Sequence, residues 1–335
     1  MKTISILCGI FTVGIGAAAY VYTHPQIIIG KIQKMLYKGK PINSFAPFGE
    51  PGRKIKENGQ LYLTEIQYGT QYPNSFLDIS YPDEDTCVDR PTVIYFHGGG
   101  FFGGDKAMGD PMAAADDANK LLNEIVARGY NLVNVNYALV PDCHFPVPLI
   151  QMNQAIAYLK EHAAEYGLNM KNVVIFGQSA GAILTGQYGS LMANPDYREL
   201  LGITPALTHQ EVKALIIDDA PFRTEHFGIK LKLMMGNYCQ SMNMNGEVAI
   251  KYNAYRFIEK DYCPSFLTAG NTDGFPEDMG AFAERLEKLG VDHEYYFIPK
   301  DVCPLPHGYL GMADKNEYAR ECFDRILAFM DQHTT

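Results

Sequence analysis

No aspartate or glutamate occurs before Glu50, although Lys2, Lys31, Lys34, Lys38 and Lys40 do. The chain thus opens with a basic, apolar leader, and an acidic body begins at the first carboxylate. No C-x-x-C pair occurs among Cys8, Cys87, Cys143, Cys239, Cys263, Cys303 and Cys322. A zinc ribbon or dithiol redox site is therefore unsupported, and buried free thiols are the plainer expectation. No internal repeat and no low-complexity tract is present. The glycine run after His97 lacks the G-K-[ST] ending of a phosphate-binding loop, and no G-x-G-x-x-G follows it. A formal net charge of −10 argues against nucleic acid as a partner for the whole chain.

What is there is a chain of 335 residues with 47% hydrophobic content, enough for a large core. Ile4 to Tyr22 is a run of 19 residues without charge. That length suits a membrane-spanning helix, retained as an anchor, with sidedness open. The rival is a cleaved signal peptide, since Lys2 gives a positive start and Ala17-Ala18-Ala19 a small-residue cleavage site. The protein is expected to be membrane-associated through this single span, or exported if the segment is cleaved. A helix after Pro25 would place Ile28, Ile32, Met35 and Leu36 on one face and lysines around them. Such a helix suits an anionic membrane interface, or packs on the body as its first helix. The division is then 1–24 anchor or signal, 25–60 helix and linker, and 61–335 body.

The body is organised around Val173-Val174-Ile175-Phe176-Gly177-Gln178-Ser179-Ala180-Gly181. An apolar, β-branched run reads as a buried strand. A G-x-S-x-G follows at once, then the helical residues Ala182, Ile183, Leu184 and Gln187. Strand, sharp turn and helix are the setting of a nucleophile elbow, which lifts Ser179 clear of the sheet. Its crowded backbone needs the small neighbours Gly177, Ala180 and Gly181.

Other segments alternate strand and helix. Strands are expected at Leu61–Tyr68 and Phe76–Tyr81, as an edge hairpin, and at Thr92–Phe96, Leu132–Leu139, Lys213–Ile217, Ser265–Ala269 and His293–Ile298. Helices are expected at Asp116–Arg128, Pro148–Tyr166, Pro276–Leu289 and Asn316–Met330. This pattern implies a mostly parallel central sheet with helices on both faces, an α/β fold. Pro221–Tyr262 is too long for an ordinary connection. With Met234, Met235, Met242 and Met244, it reads as a cap-like insertion or as a plain packed excursion.

A serine hydroxyl needs a histidine to take its proton and a carboxylate to orient that histidine. In open α/β sheets the site lies beyond the carboxyl ends of the strands. Asp273 follows one strand end and His307 the next, so the order Ser179, Asp273, His307 is that of a hydrolase triad. Asp278 is a near rival that falls inside a helix. His97-Gly98-Gly99-Gly100 follows a strand, and its N–H groups can approach an oxyanion. Gly99, Gly100 and Ala180 are the expected donors. Phe101 and Phe102 are expected beside the loop, as walls of a substrate pocket or as core.

With these residues in order, the chain resembles the α/β-hydrolase esterase and lipase superfamily. It is most similar to the hormone-sensitive-lipase-like group and its feruloyl-esterase and arylformamidase-like relatives. The resemblance is carried by the stretch from His97 to Lys106 (HGGGFFGGDK), by Gly177–Gly181 (GQSAG), by Asn271–Asp278 and by Pro306-His307-Gly308-Tyr309. In the acid loop Gly274 stands where those relatives have proline. The resemblance implies an α/β-hydrolase fold, cleavage of small-molecule carboxylic esters, and second- and third-glycine oxyanion donors, here Gly99 and Gly100, with Ala180. The chemistry requires no metal and no organic cofactor. A serine peptidase or amidase on the same fold, and a non-catalytic binding protein, are the alternatives.

Overall fold

The structure is a computed structural model that describes residue 24 and residues 26–111 and 119–334. The charge-free run expected as anchor or signal lies outside the described residues. No helix among the described residues is long and apolar enough to cross a membrane.

The chain runs through α1 (Gln26–Tyr37), β1 (Gly52–Ile55), β2 (Leu61–Gln67), β3 (Phe76–Tyr81), β4 (Pro91–Phe96), α2 (Asn119–Ala127) and β5 (Asn131–Val135). It continues with α3 (Val147–Glu161), α4 (Ala163–Tyr166), β6 (Asn169–Gln178), α5 (Ala180–Ala193), α6 (Pro195–Leu201) and β7 (Val212–Asp218). The remainder is α7 (Ile229–Tyr238), α8 (Gly246–Tyr252), β8 (Ser265–Thr268), α9 (Pro276–Leu289), β9 (His293–Tyr296) and α10 (Glu317–Thr334).

These strands form one nine-stranded sheet, in the order β1-β2-β3-β5-β4-β6-β7-β8-β9. From β5 to β9 every neighbouring pair is parallel, and β1, β2 and β3 add an antiparallel flank. Period-two alternation sorts the central side chains between two cores. Ile94, Phe96, Val173, Ile175, Leu215, Ile217 and Leu267 enter one core. Val93, Tyr95, Val174, Phe176, Ala214, Ile216 and Phe266 enter the other. Helices cover both faces. Leu149, Met152 and Ile156 of α3 and most of α5 fill the first core. Ile125 of α2 and Phe323, Ile326 and Phe329 of α10 fill the second.

Two expectations about the flank need correction. β3 is an interior strand, buried along its length between β2 and β5, and not an edge. The outer edge is β1, in a stretch expected to be loop. Its residues Gly-Arg-Lys-Ile are all exposed, so no alternation marked it.

Helix α1 is the body's first helix. Ile29, Gln33 and Tyr37 are buried against it, with Ile32 and Leu36 beside them, while Lys31, Lys34, Met35 and Lys38 are exposed. The buried stripe is therefore turned from the all-apolar face that the sequence suggests. Gln33 can enter it because its amide donates to two carbonyls there.

The Pro221–Tyr262 excursion packs on α5. Phe222 and Tyr262 fit against Gly186 and Gly189, where a Cβ would approach them to 2.5 and 2.3 Å. Gln187 and Ser190 of α5 donate to the carbonyls of Tyr252 and Ala254. Among the described residues all six cysteines are free thiols, four of them buried.

Candidate active site

Strand β6 ends at Gln178, and the chain turns at Ser179 with φ 54° and ψ −112°. That is a strained conformation for a residue with a side chain, of the kind functional sites hold. The surroundings enforce it. The Ser179 N–H donates to the Asp218 carbonyl at 2.8 Å, and the Ser179 carbonyl accepts the first helical bond of α5, from Ile183. A Cβ at Gly177 would meet the Gly181 carbonyl oxygen at 2.1 Å, and one at Gly181 would meet that of Phe96 at 2.0 Å. Only glycine allows strand, helix and the end of β4 to close so tightly.

The half-buried imidazole of His307 reaches the elbow. Its Nε2 lies 2.8 Å from Ser179 Oγ, and its Nδ1 lies 2.7 Å from Asp219 Oδ2. The edge of Phe275 stands against the ring, with centroids 5.5 Å apart.

The acid at this imidazole is Asp219, not Asp273. Asp219 directly follows β7, is wholly buried, and has φ 61°. Its Oδ2 also accepts the Gly270 N–H at 3.0 Å, and its Oδ1 accepts the Phe275 N–H at 2.7 Å. Asp273 is exposed and accepts the backbone N–H of His307 at 2.7 Å, so it holds the histidine loop and not the ring. Asp278, the rival in α9, binds Arg223 at 2.6 Å and the Phe222 N–H at 2.9 Å.

Burial alone would depress the His307 pKa. The Asp219 carboxylate against it, with the charges of Asp110 and Asp218 behind, raises it instead to about 9. Asp218, the last residue of β7, is buried, and neither of its oxygens has a hydrogen-bond partner. Burial and the neighbouring Asp219 push its pKa up to about 8, while His307 pulls it back only in part.

Around the elbow lies the glycine loop. Gly99, Gly100, Phe101 and Gly104 all have positive φ, at 109°, 60°, 63° and 89°. The Gly99 carbonyl accepts the N–H groups of Phe102 and Gly103, whereas the Gly99 and Gly100 N–H groups donate to nothing among the described residues. His97 is buried, stacks on Tyr137 at 4.3 Å, and is held below the ordinary imidazole pKa by its burial. It braces the turn.

Phe101 and Phe102 offer no surface to a substrate, being 0% and 2% exposed. Phe101 stacks on Tyr238 of the excursion at 3.7 Å, so the core expectation holds and the pocket-wall one does not. At the end of the loop Lys106 is 5% exposed and bonds Glu65 at 2.6 Å and Asp78 at 2.9 Å. The buried ion cluster ties the loop to β2 and β3.

The match to a known family model runs over residues 77–276, more than half of the chain, and the model is BD-FAE. The chain belongs to the BD-FAE family. That match takes in the glycine loop, the elbow, Asp219 and the Asp273 loop, and stops before His307. Esterase LipI of Mycobacterium tuberculosis is 25% identical, over 72% of this chain and 73% of its own length. Lipase 2 of Moraxella is 28% identical over 68% of this chain, and rabbit (Oryctolagus cuniculus) arylacetamide deacetylase 27% over 67%. The chain spans 57% and 58% of those two proteins, under two thirds of each. Among solved structures, esterase B of Lactobacillus rhamnosis superposes with a TM-score of 0.70 at 18% identity, covering 95% of this chain and 96% of that one. A bacterial heroin esterase superposes with a TM-score of 0.61 at 18% identity, covering 95% and 92%. The fold is that of the α/β hydrolases.

Proposed function

We propose that this protein is a carboxylic ester hydrolase that works through Ser179, His307 and Asp219. The observation that carries the proposal is the unbroken hydrogen-bonded line from Ser179 Oγ through the imidazole to Asp219, with steps of 2.8 and 2.7 Å. Its relatives include named esterases and lipases, which supports the ester as substrate.

The imidazole removes the Ser179 proton as Oγ bonds to the ester carbonyl carbon. Negative charge collects on the carbonyl oxygen, within reach of N–H groups from Gly99, Gly100 and Ala180 in the role of an oxyanion hole. The alcohol leaves with the proton that His307 took, and an acyl-enzyme remains. Water attacks this ester, gives a proton to His307, and releases the acid as Ser179 recovers its hydrogen. Asp219 keeps Nδ1–H paired, so that Nε2 carries the lone pair facing serine. Asp273 secures the backbone that presents the ring.

Ser179→Ala should lower turnover of a p-nitrophenyl ester by on the order of 10⁶-fold. A fluorophosphonate should label Ser179 in the natural protein. An unaffected mutant overturns the proposal, and an anilide cleaved faster than the matching ester favours an amidase.

The charge-free run Ile4–Tyr22 supports a further proposal, attachment to a membrane or export. N-terminal sequencing after purification separates these, since a start near Tyr20 overturns the anchor and a start at Met1 overturns cleavage.

A further inference from the structure

Helix α1 precedes the glycine loop by some sixty residues in sequence, yet it holds that loop at two carbonyls. The Gln33 amide donates to the Phe102 carbonyl at 3.0 Å and to the Val140 carbonyl at 2.6 Å. The Tyr37 hydroxyl donates to the Gly104 carbonyl at 2.9 Å. Both side chains are buried, at 1% and 7% exposure. Leu36 lies against Gly103, where a Cβ would be 3.3 Å from it. Val140 also donates its own N–H to Phe101 at 2.9 Å, so Gln33 joins two segments that already meet.

The loop needs such tethers. Phe101 is a bulky residue at φ 63°, a conformation that persists only where the surroundings over-determine it. Each carbonyl that is tied down fixes the peptide plane after it. The Gly100 N–H shares its peptide plane with the Gly99 carbonyl, which the N–H groups of Phe102 and Gly103 hold at 3.1 and 3.0 Å, so tethers on the Phe102 and Gly104 carbonyls steady that plane from the far side of the loop. A donor aimed beforehand at the developing oxyanion needs no reorganisation during the reaction.

We propose that Gln33 and Tyr37 are positioning residues for the oxyanion loop. Helix α1 thereby becomes part of the catalytic apparatus without touching substrate. This rests on the serine-hydrolase function proposed above.

The test uses full-length protein with Gln33→Met, which keeps the side chain's length and removes its donors, Tyr37→Phe, and the double variant. Lys34→Ala, on the exposed face of the same helix, is the control. Each single variant should lower kcat on a p-nitrophenyl ester on the order of tenfold, the double variant more, with KM changed less than about twofold. The inhibition constant for a trifluoromethyl ketone, whose adduct places an oxyanion in the hole, should rise by the same factor as kcat falls. Loss of packing alone would not link those two quantities. Wild-type kcat and inhibition constant in both single variants overturn the proposal, as does a fall in kcat with ketone affinity unchanged. A rise in KM alone does so too. Should Gln33→Met fail to fold, Tyr37→Phe removes a single oxygen and carries the same comparison. Natural protein that a fluorophosphonate does not label at Ser179 means that the hydrolase proposal has failed. Labelled protein with unaffected variants means that only the tether has.

Discussion

A Cβ on Gly274 would stand 2.4 Å from Oδ2 of Asp219, closer than any side chain tolerates. The two residues are thus coupled. The carboxylate that faces the His307 imidazole occupies the space that glycine leaves open, and the next N–H along, from Phe275, binds it at 2.7 Å. Gly274 thereby makes room for an acid arriving from another strand.

Substitution of that glycine should therefore damage the acid and spare the nucleophile. Gly274→Ala is expected to lower kcat for ester hydrolysis by about 10- to 100-fold, as misplacement near 1 Å does elsewhere. Fluorophosphonate labelling of Ser179 should slow without vanishing. Activity equal to that of the natural protein would show that the carboxylate has somewhere else to go.

Asp219 and Asp273 can be told apart by the same change at each. Asp219→Asn should cost on the order of 10⁴-fold in kcat, because the asparagine amide favours the wrong imidazole tautomer. Asp273→Asn retains an oxygen that can accept the His307 N–H and should cost less than about tenfold. The reverse ranking would return the acid's role to Asp273.

The imidazole must be neutral to accept the serine proton, so kcat/KM should rise with pH through its pKa. Contact with Asp219 overcomes burial and raises that pKa to about 9. The rising limb of the pH profile is accordingly expected well above about 6.5, the ordinary histidine value. Asp219→Asn should move it downward. A natural-protein limb centred near the ordinary value counts against this account.

The buried cation under the glycine loop is expected to matter for stability more than for chemistry. Lys106→Met leaves Glu65 and Asp78 facing each other without their ammonium partner. Removing one member of such a buried pair typically costs about 3–5 kcal/mol. Urea unfolding should show this loss, and adding Glu65→Gln and Asp78→Asn should recover part of it.

Burial of Asp218 makes a prediction with a definite sign. Its pKa is raised on folding to about 8, so the folded chain binds more protons than the unfolded one between the ordinary carboxylate value and that point. Stability is therefore lost as pH rises through this window. Asp218→Asn should stabilise the fold in urea unfolding at pH 8 by on the order of 1–3 kcal/mol, with the gain shrinking toward pH 4. A gain that grows as the pH falls would mean that the folded carboxyl is normally ionised.

Local chemistry made much of this molecule legible without coordinates. The apolar strand before Gly177, the glycines around Ser179 and the strand-end position of His307 each follow from short-range sterics and alternation, and the structure brings Ser179 and His307 to 2.8 Å. The choice of acid does not follow from such rules. Asp219 and Asp273 both lie just past a strand end, and Asp218-Asp219 and Gly274 were visible signals of equal local merit. What separates them is the direction in which a buried side chain points, set by the left-handed backbone at Asp219 and the empty space at Gly274. Gln33 shows the same limit. A glutamine in an amphipathic helix is ordinarily a surface residue. Only the arrival of two carbonyls from segments 69 and 107 residues away turns it inward, since pairing there offsets the cost of burying its amide.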